Sequence, residues 1–368
     1  MSLLWRLEPA TAAKHRLYRS YLDAWWPILL QTSARGYQRP RITYVDAFAG
    51  PGQYTGGEEG SPVLALKRLL NHTAINRMHL SRDRACLIFM EKRLDRCEYL
   101  AAELTRHFGP LPDLPVRVVI RKGEAGKDLA GLLDEVGAWG YPILAVIDSW
   151  GNVNVPLTVL ERIARNPSSE VITTFGPNWF SRREQLNQDH LDAVFGGRGY
   201  WEPADREVRP DERWRAWLST YRSALGRAGF RHQLHFEVVP RTGHPLYLVF
   251  GTGHPKGVEV MKEAMWDVDG SDGMSFRDPR TRGWVPPDQQ SLFDMPGVVQ
   301  PELLELVHQR LTESKSVSLE ELGRWLLLET ARWRTRDARP AVQELLTAGS
   351  IAVHPPGRVI NASLISVR

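Results

Sequence analysis

The stretch YVDAFAGPGQYTGGEEGSP, Tyr44 to Pro62, ends a strand-forming run on an acid, Asp46, and then spends Gly50, Gly52, Gly56, Gly57 and Gly60 on one loop. Three roles compete for such a loop: a cradle for phosphate, a seat for a nucleoside-containing cofactor, or an ordinary turn from strand to helix. A phosphate cradle needs a lysine and a hydroxyl residue after its second glycine. Here Gly57 leads into Glu58 and Gly60 into Ser61, which excludes it. The dinucleotide spacing is also incomplete, because Thr55 stands where a third glycine would fall. What fits is Asp46 near the strand end, glycines that admit a ligand close to the backbone, and a second acid, Glu91, closing the next apolar run ACLIFME. A carboxylate so placed can accept both hydrogen bonds of a ribose diol. The turn reading stands beside this one, with the glycines serving only a tight connection.

Asp148 ends a further run, PILAVID, and so stands at the carboxyl edge where open α/β sheets bind ligands. It is the candidate for accepting a proton or hydrogen bond from a substrate. Trp150 offers a stacking face worth ~1–3 kcal/mol under a base. The competing structural roles are a loop cap for Asp148 and core packing for Trp150. After the following strand, GPNWFSRR supplies Asn178, Trp179, Phe180, Arg182 and Arg183 at the same edge, suited to a flat or anionic substrate or to a lid packed on its own aromatics. Further on, ARWRTRDAR gathers Arg332, Arg334, Arg336 and Arg339 where phosphates could be met. Glu302, Glu305, Glu320, Glu321 and Glu344 nearly neutralise that region, so docking to protein competes. His232 and His235, three apart on a strand, point to opposite faces and make a poor metal pair, so no metal is expected.

These side chains need a sheet edge to hold them. Apolar residues recur every three or four positions from Leu17 to Leu29, the stripe of a packed helix. Short β-rich runs then alternate with helical stretches as far as EVITTF at Phe175, which predicts βαβ units and a doubly wound α/β fold with a parallel sheet. HQLHFEVV and LYLVF fit a closing antiparallel pair. Residues 268–297, rich in Gly, Asp, Arg and Pro, read as a linker or ordered loop after a main domain of residues 1–267. In residues 298–368, helical patterns at Glu302–Thr312, Ser318–Glu329 and Arg336–Ala348 precede SIAVHPPGRVI, a strand, turn and strand: the outline of a winged helix-turn-helix.

Composition excludes little more. A chain of 368 residues with a net charge of +4 permits nucleic acid as a partner without demanding it. Cys86 and Cys97 form no ligand pair, in keeping with a reducing compartment. With neither an apolar signal core nor a run of roughly eighteen apolar residues, a cytoplasmic protein without a membrane span is expected.

VDAFAGPG followed by IFMEK resembles the cofactor site of class I S-adenosylmethionine-dependent methyltransferases. The whole chain more closely resembles the three-Cys-motif partner protein family, through KHRLYRSYLDAWWPIL, YVDAFAGPGQY, GSPVLAL, the LYLVFGTGH to VMKEAMW segment and the winged-helix-like tail. Only DAFAGPG with GSP is distinctive; the other pieces are mostly apolar pattern. The resemblance implies S-adenosylmethionine as cofactor, with Asp46, Phe48, Gly50 and Gly52 around its amino-acid part, Glu91 on its ribose and Glu124 near its adenine. It also implies that Lys14 and His15 close over the site, and a partner similar to radical S-adenosylmethionine enzymes that carries three cysteines. Amino-methylating members of the superfamily follow their Asp or Asn with Pro-Pro and an aromatic; here Ser149, Trp150 and Gly151 stand instead, a departure that bears on amine chemistry. The leading expectation is methylation of nucleic acid or a nucleobase-like compound. A small aromatic or heterocyclic metabolite, and a non-catalytic partner of the three-cysteine protein, are the rivals.

Overall fold

The computed structural model describes residues 2–203, 207–281, 299–355, 357 and 359–367. Helix α1 (Pro9–Leu30) buries Leu17, Tyr18, Tyr21, Leu22, Trp25, Trp26 and Leu29, so the expected stripe is its packed face. It lies against the sheet made by the alternation that follows: β1 (Ile42–Asp46), α2 (Ser61–Leu70), α3 (Ile75–Met78), β2 (Ala85–Glu91), α4 (Leu94–Phe108), β3 (Arg117–Lys122), α5 (Ala125–Val136) and β4 (Ile143–Ile147). After these come α6 (Leu157–Ala164), β5 (Glu170–Phe175), α7 (Pro177–Arg183), α8 (Gln188–Phe195), α9 (Pro210–Ala228), β6 (His232–Val239), β7 (Leu246–Thr252), α10 (Pro255–Val268) and β8 (Ser275–Arg277). Strands β1, β2, β4 and β5 are buried at every position, as strands covered on both faces must be.

The sheet runs β3-β2-β1-β4-β5-β7-β6-β8. Neighbours pair parallel from β3 to β5, β7 is antiparallel to both β5 and β6, and β8 joins β6 parallel. One apolar layer packs α1, α2, α4 and α10 on one face; a second packs α5, α6, α8 and α9 on the other. Because the chain works outward from β1 to β3 and returns to place β4 beside β1, the strand order reverses between β1 and β4, which is where such sheets open a crevice. Asp46 pairs in register with Val146 there, so Asp46, Glu91 and Asp148 share one edge.

The stretch read as linker or loop differs in part from a linker. Ser275–Arg277 is a sheet strand, reached by a turn in which the Asp269 carboxylate accepts from the Ser271, Met274 and Ser275 amides. Residues 282–297 of that stretch lie outside the described residues.

Three further helices, α11 (Pro301–Ser314), α12 (Leu319–Glu329) and α13 (Ala338–Thr347), share a core of their own with β9 (Val317–Ser318), β10 (Ile351–His354) and β11 (Leu364–Val367). These strands pair antiparallel in the order β10-β11-β9. The sequence reading ended the second strand within SIAVHPPGRVI, whereas the ladder partner of β10 is β11, with Ile365 fully buried between Val353 and Val317. Two residues of β9 are too few to show a period.

The main sheet unit grips this one through Lys262 of α10. Its fully buried amino group donates to the carbonyls of Leu326, Leu327, Thr330 and Trp333 at 2.7–3.2 Å, in the last turn of α12 and just beyond it. Lys262→Met keeps the bulk but strands those acceptors, and is expected to cost about 2–3 kcal/mol. Urea unfolding of the full chain measures this; an unchanged midpoint would mean that the Lys262 bonds add nothing net.

Candidate functional site

The glycine loop is closed on itself. After Asp46 the Phe48 amide turns back to donate to its Oδ1 at 3.1 Å, and Ala49 continues the ladder by donating to Met90. Gly50 and Gly52 then take φ values of +64° and +81°, the left-handed region that favours glycine. The Gly60 amide donates to the Gly52 carbonyl at 2.7 Å, and a Cβ on Gly60 would lie 2.7 Å from the Gly52 carbonyl carbon. The two limbs thus touch backbone to backbone before α2 begins.

Beside this loop lies a cavity of about 1070 Å³. Phe48, Gly50, Gly52, Gly60 and Ser61 line it from the loop; Glu91, Lys92 and Gly123–Lys127 line it from the β2–β3 side. Ser149, Trp150, Asn178, Trp179, Arg182 and the β6–β7 connection line it from the other side, and Trp5, Arg6, Thr11, Lys14 and His15 from the N-terminal segment and α1. Trp5 and Tyr54 were not singled out in the sequence. The Trp5 ring lies 3.2 Å from where a Cβ on Gly50 would sit, its carbonyl accepts from Thr55, and the Arg96 guanidinium lies 4.6 Å from its ring centre.

The two strand-end acids differ. Glu91 lines the cavity; its Oε1 accepts from the Arg93 amide at 2.9 Å and its Oε2 has Arg96 at 4.0 Å. Asp46 lies beneath the loop, buried, and is not a lining residue; its Oδ2 has no hydrogen-bond partner among the described residues. Burial, partly offset by the neighbouring Ser61 hydroxyl and the Phe48 amide, pushes the Asp46 carboxyl up to about 6. Glu124 also lines the cavity, and is held below the usual carboxylate range by Lys92 at 2.9 Å and Lys127 at 3.3 Å.

Asp148 stands at the expected edge but not as a free acceptor. Lys14 Nζ donates to both of its oxygens at 2.6 Å, Thr174 Oγ1 to Oδ1 at 2.5 Å and Tyr18 to Oδ2 at 3.1 Å. Burial would raise this carboxyl, but the Lys14 ammonium and the three donors outweigh it and hold it below the ordinary value. The sequence signal for this cluster was available in Lys14 and Tyr18, one turn apart on α1; nothing local pointed to Thr174. His15 beside them is pushed down to about 4 by burial and by Lys14, and meets the Tyr54 hydroxyl at 3.4 Å.

Trp150 is 85% exposed rather than packed in the core. Gly151 stands where an amine-methylating site would have its aromatic, and the backbone gives the reason: φ is +94° and an added Cβ would lie 2.9 Å from Gly176 Cα. Asn178 and Trp179 line the cavity, but Phe180 does not. One residue further round α7, Phe180 is fully buried and stacks on Phe175 at 4.7 Å, which corrects its expected place in a substrate wall. Arg332, Arg334, Arg336 and Arg339 are not among the lining residues. Arg332 pairs with Glu302, Arg334 with Asp337 and Glu263, Arg336 with Glu263, and Arg339 bonds to Val359 O and Asn361. Three of the four expected phosphate contacts are thus spent on the chain's own acids, Arg334 and Arg336 sharing Glu263 of α10.

No protein-family model matches the chain, and no curated protein matches it. Among solved structures it is similar to Trm1 from Pyrococcus horikoshii in complex with S-adenosyl-L-methionine, at 12% identity and a TM-score of 0.39, over 100% of this chain and 93% of that one. It is also similar to EvdMO1, at 12% identity and a TM-score of 0.34, over 66% of this chain but only 42% of that one. A third is geranyl diphosphate methyltransferase in complex with GPP and sinefungin, at 14% identity and a TM-score of 0.29, over 63% of this chain and 77% of that one. These likenesses assign no activity to the chain.

Proposed function

We propose that this protein is an S-adenosylmethionine-dependent methyltransferase acting on a nucleobase-like compound or nucleic acid. The observation that carries the reading is the closed glycine loop at the sheet's switch point, flanked by Asp46 and Glu91 and lining a cavity with Asp148 at the next strand end. The residues fit the cofactor. Among the described residues Glu91 Oε2 has Arg96 at 4.0 Å, beyond hydrogen-bond reach, Asp46 Oδ2 has no hydrogen-bond partner, and Gly50 and Gly52 line the cavity with bare backbone. Phe48, Gly50 and Gly52 would hold the amino-acid part from the cavity wall with the Asp46 carboxylate beneath them, Glu91 the ribose and Glu124 the adenine side. When bound, the cofactor supplies a methyl group already activated by its sulfonium.

The chain's own work is then alignment and exclusion of water. Trp5 and the first turns of α1 cover the cavity, Trp150 and Trp179 offer faces for a flat ring, and Asn178 offers an amide. Asp148 reaches a substrate only by exchanging one of its present donors; as it stands, it fixes the Lys14 ammonium in the cavity wall. We read residues 298–368 as a winged helix-turn-helix domain. A small aromatic or heterocyclic metabolite is the second reading, favoured by the absence of all four tail arginines from the cavity lining.

Titration calorimetry with S-adenosylmethionine tests the reading. Wild type should bind, and Glu91→Ala should lose ~1.5–3 kcal/mol; equal affinities would remove Glu91 from the site, and no binding by wild type would favour the non-catalytic partner role. Asp46 adds a pH signature. Its carboxylate favours a cationic amino-acid tail, is present above its folded value of about 6, and is lost as pH falls through it. Affinity for S-adenosylhomocysteine should fall by up to about tenfold per pH unit below that value, and Asp46→Asn should flatten the profile. An unaltered profile in the variant would show that another group titrates.

A further inference from the structure

We infer that the cavity carries a phosphate subsite on its β5–β7–β6 side, so that the substrate is a phosphorylated flat heterocycle of mononucleotide size. The inference rests on the methyltransferase reading for what happens to that compound, and on the cavity's charges for its recognition.

Those charges are unevenly matched. On the β2–β3 side Glu124 has Lys92 and Lys127, and in the middle Lys14 has Asp148. Arg182, Arg241 and Arg6 also line the cavity, and among the described residues none of the three has a carboxylate within 4 Å. Arg182 Nε donates to the Asn178 carbonyl at 3.2 Å, which fixes the guanidinium at the end of α7 and leaves its two terminal nitrogens without a described partner. Arg241 lies in the β6–β7 connection. The acid that feels its charge, Asp278, is already held by Arg280 Nε at 2.9 Å and by a second Arg280 nitrogen at 2.7 Å. Arg182 and Arg241 are both exposed where they line the cavity, and an anion bound on this side gains from both charges. Phosphate suits them best, since a guanidinium presents paired donors that match two of its oxygens.

The same side carries Trp150 and Trp179, so the wall asks for a flat ring and an anion together. A volume of about 1070 Å³ lies just above the usual ~300–1,000 Å³ for a ligand site, enough for the cofactor and a second molecule of nucleotide size. A long nucleic acid would need basic surface leading away from the cavity, and the tail arginines that could supply it are engaged within the chain.

The test is calorimetry on the full chain in the presence of S-adenosylhomocysteine, comparing the 5′-monophosphates of adenosine, guanosine, cytidine and uridine with their nucleosides. At least one monophosphate should bind about tenfold or more tightly than its nucleoside, with an advantage that shrinks as salt rises. Arg182→Gln combined with Arg241→Gln should erase the advantage while S-adenosylhomocysteine binding stays at the wild-type level, which also certifies the fold. The proposal is overturned if no monophosphate exceeds its nucleoside, or if the advantage survives the double substitution. Phosphate discrimination without any S-adenosylhomocysteine binding would defeat the methyltransferase reading and leave the subsite standing. A single-stranded oligonucleotide that outbinds every monophosphate, and loses that edge in Arg336→Gln, would overturn the mononucleotide in favour of nucleic acid.

Discussion

Asp148→Ala should destabilise the folded chain by about 3 kcal/mol and abolish methyl transfer, the largest single effect expected at the site. The Lys14 side chain is only 12% exposed and directs its ammonium at both Asp148 oxygens; without them it becomes a nearly buried charge with no counter-ion. Tyr18 and Thr174 lose their acceptor as well. Urea unfolding measures the loss. Lys14→Met combined with Asp148→Leu should recover most of it, because the pair is then replaced by apolar bulk, yet should not recover turnover. Asp148→Asn separates the roles more finely: cofactor affinity should hold while turnover falls, measured on whichever of duplex DNA, RNA or aromatic metabolite pools accepts label from the cofactor. Turnover at the wild-type rate would make the carboxylate a scaffold only. The pair also sets an acid limit. The Asp148 carboxyl is lowered in the fold, so its stabilisation is fully present above its unfolded value near 3.8 and is lost as pH falls below it.

Gly60→Val should lower cofactor affinity by more than about a hundredfold and cost ~1–3 kcal/mol of stability. The added Cβ would meet Gly52 backbone atoms at 2.7–2.9 Å, a clash that only a backbone shift can relieve, and the Leu100 side chain is packed close on Gly52 as well. The loop must open, and the turn at Gly50 and Gly52 opens with it. Gly57→Asn is the control: its φ is +88° but nothing lies within 4 Å, and asparagine tolerates that conformation, so affinity should stay within about twofold. If Gly60→Val binds S-adenosylhomocysteine as wild type does, the loop is not the cofactor seat.

The amino-acid sequence by itself determined the sheet and the edge where its acids gather. Runs such as ACLIFME and PILAVID are apolar at nearly every position, and only a strand covered on both faces needs that. The stripe from Leu17 to Leu29 determined which face of α1 is buried, and the glycines after Asp46 required a turn that bare backbone alone can make. Each of these signals is local, carried by residues a few positions apart. Tertiary structure decided what the side chains at that edge can do. Trp150 and Phe180 both follow strand ends as aromatic residues, yet one is exposed beside the cavity and the other is sealed against Phe175, because their neighbours come from distant elements. Asp148 reads as a free base until α1 lays Lys14 and Tyr18 across it, from more than a hundred residues earlier in the chain. Arg334 and Arg336 read as phosphate contacts until Glu263 of α10 meets them. Charge pairing depends on distance in space, and that distance is fixed only when separate apolar faces have packed.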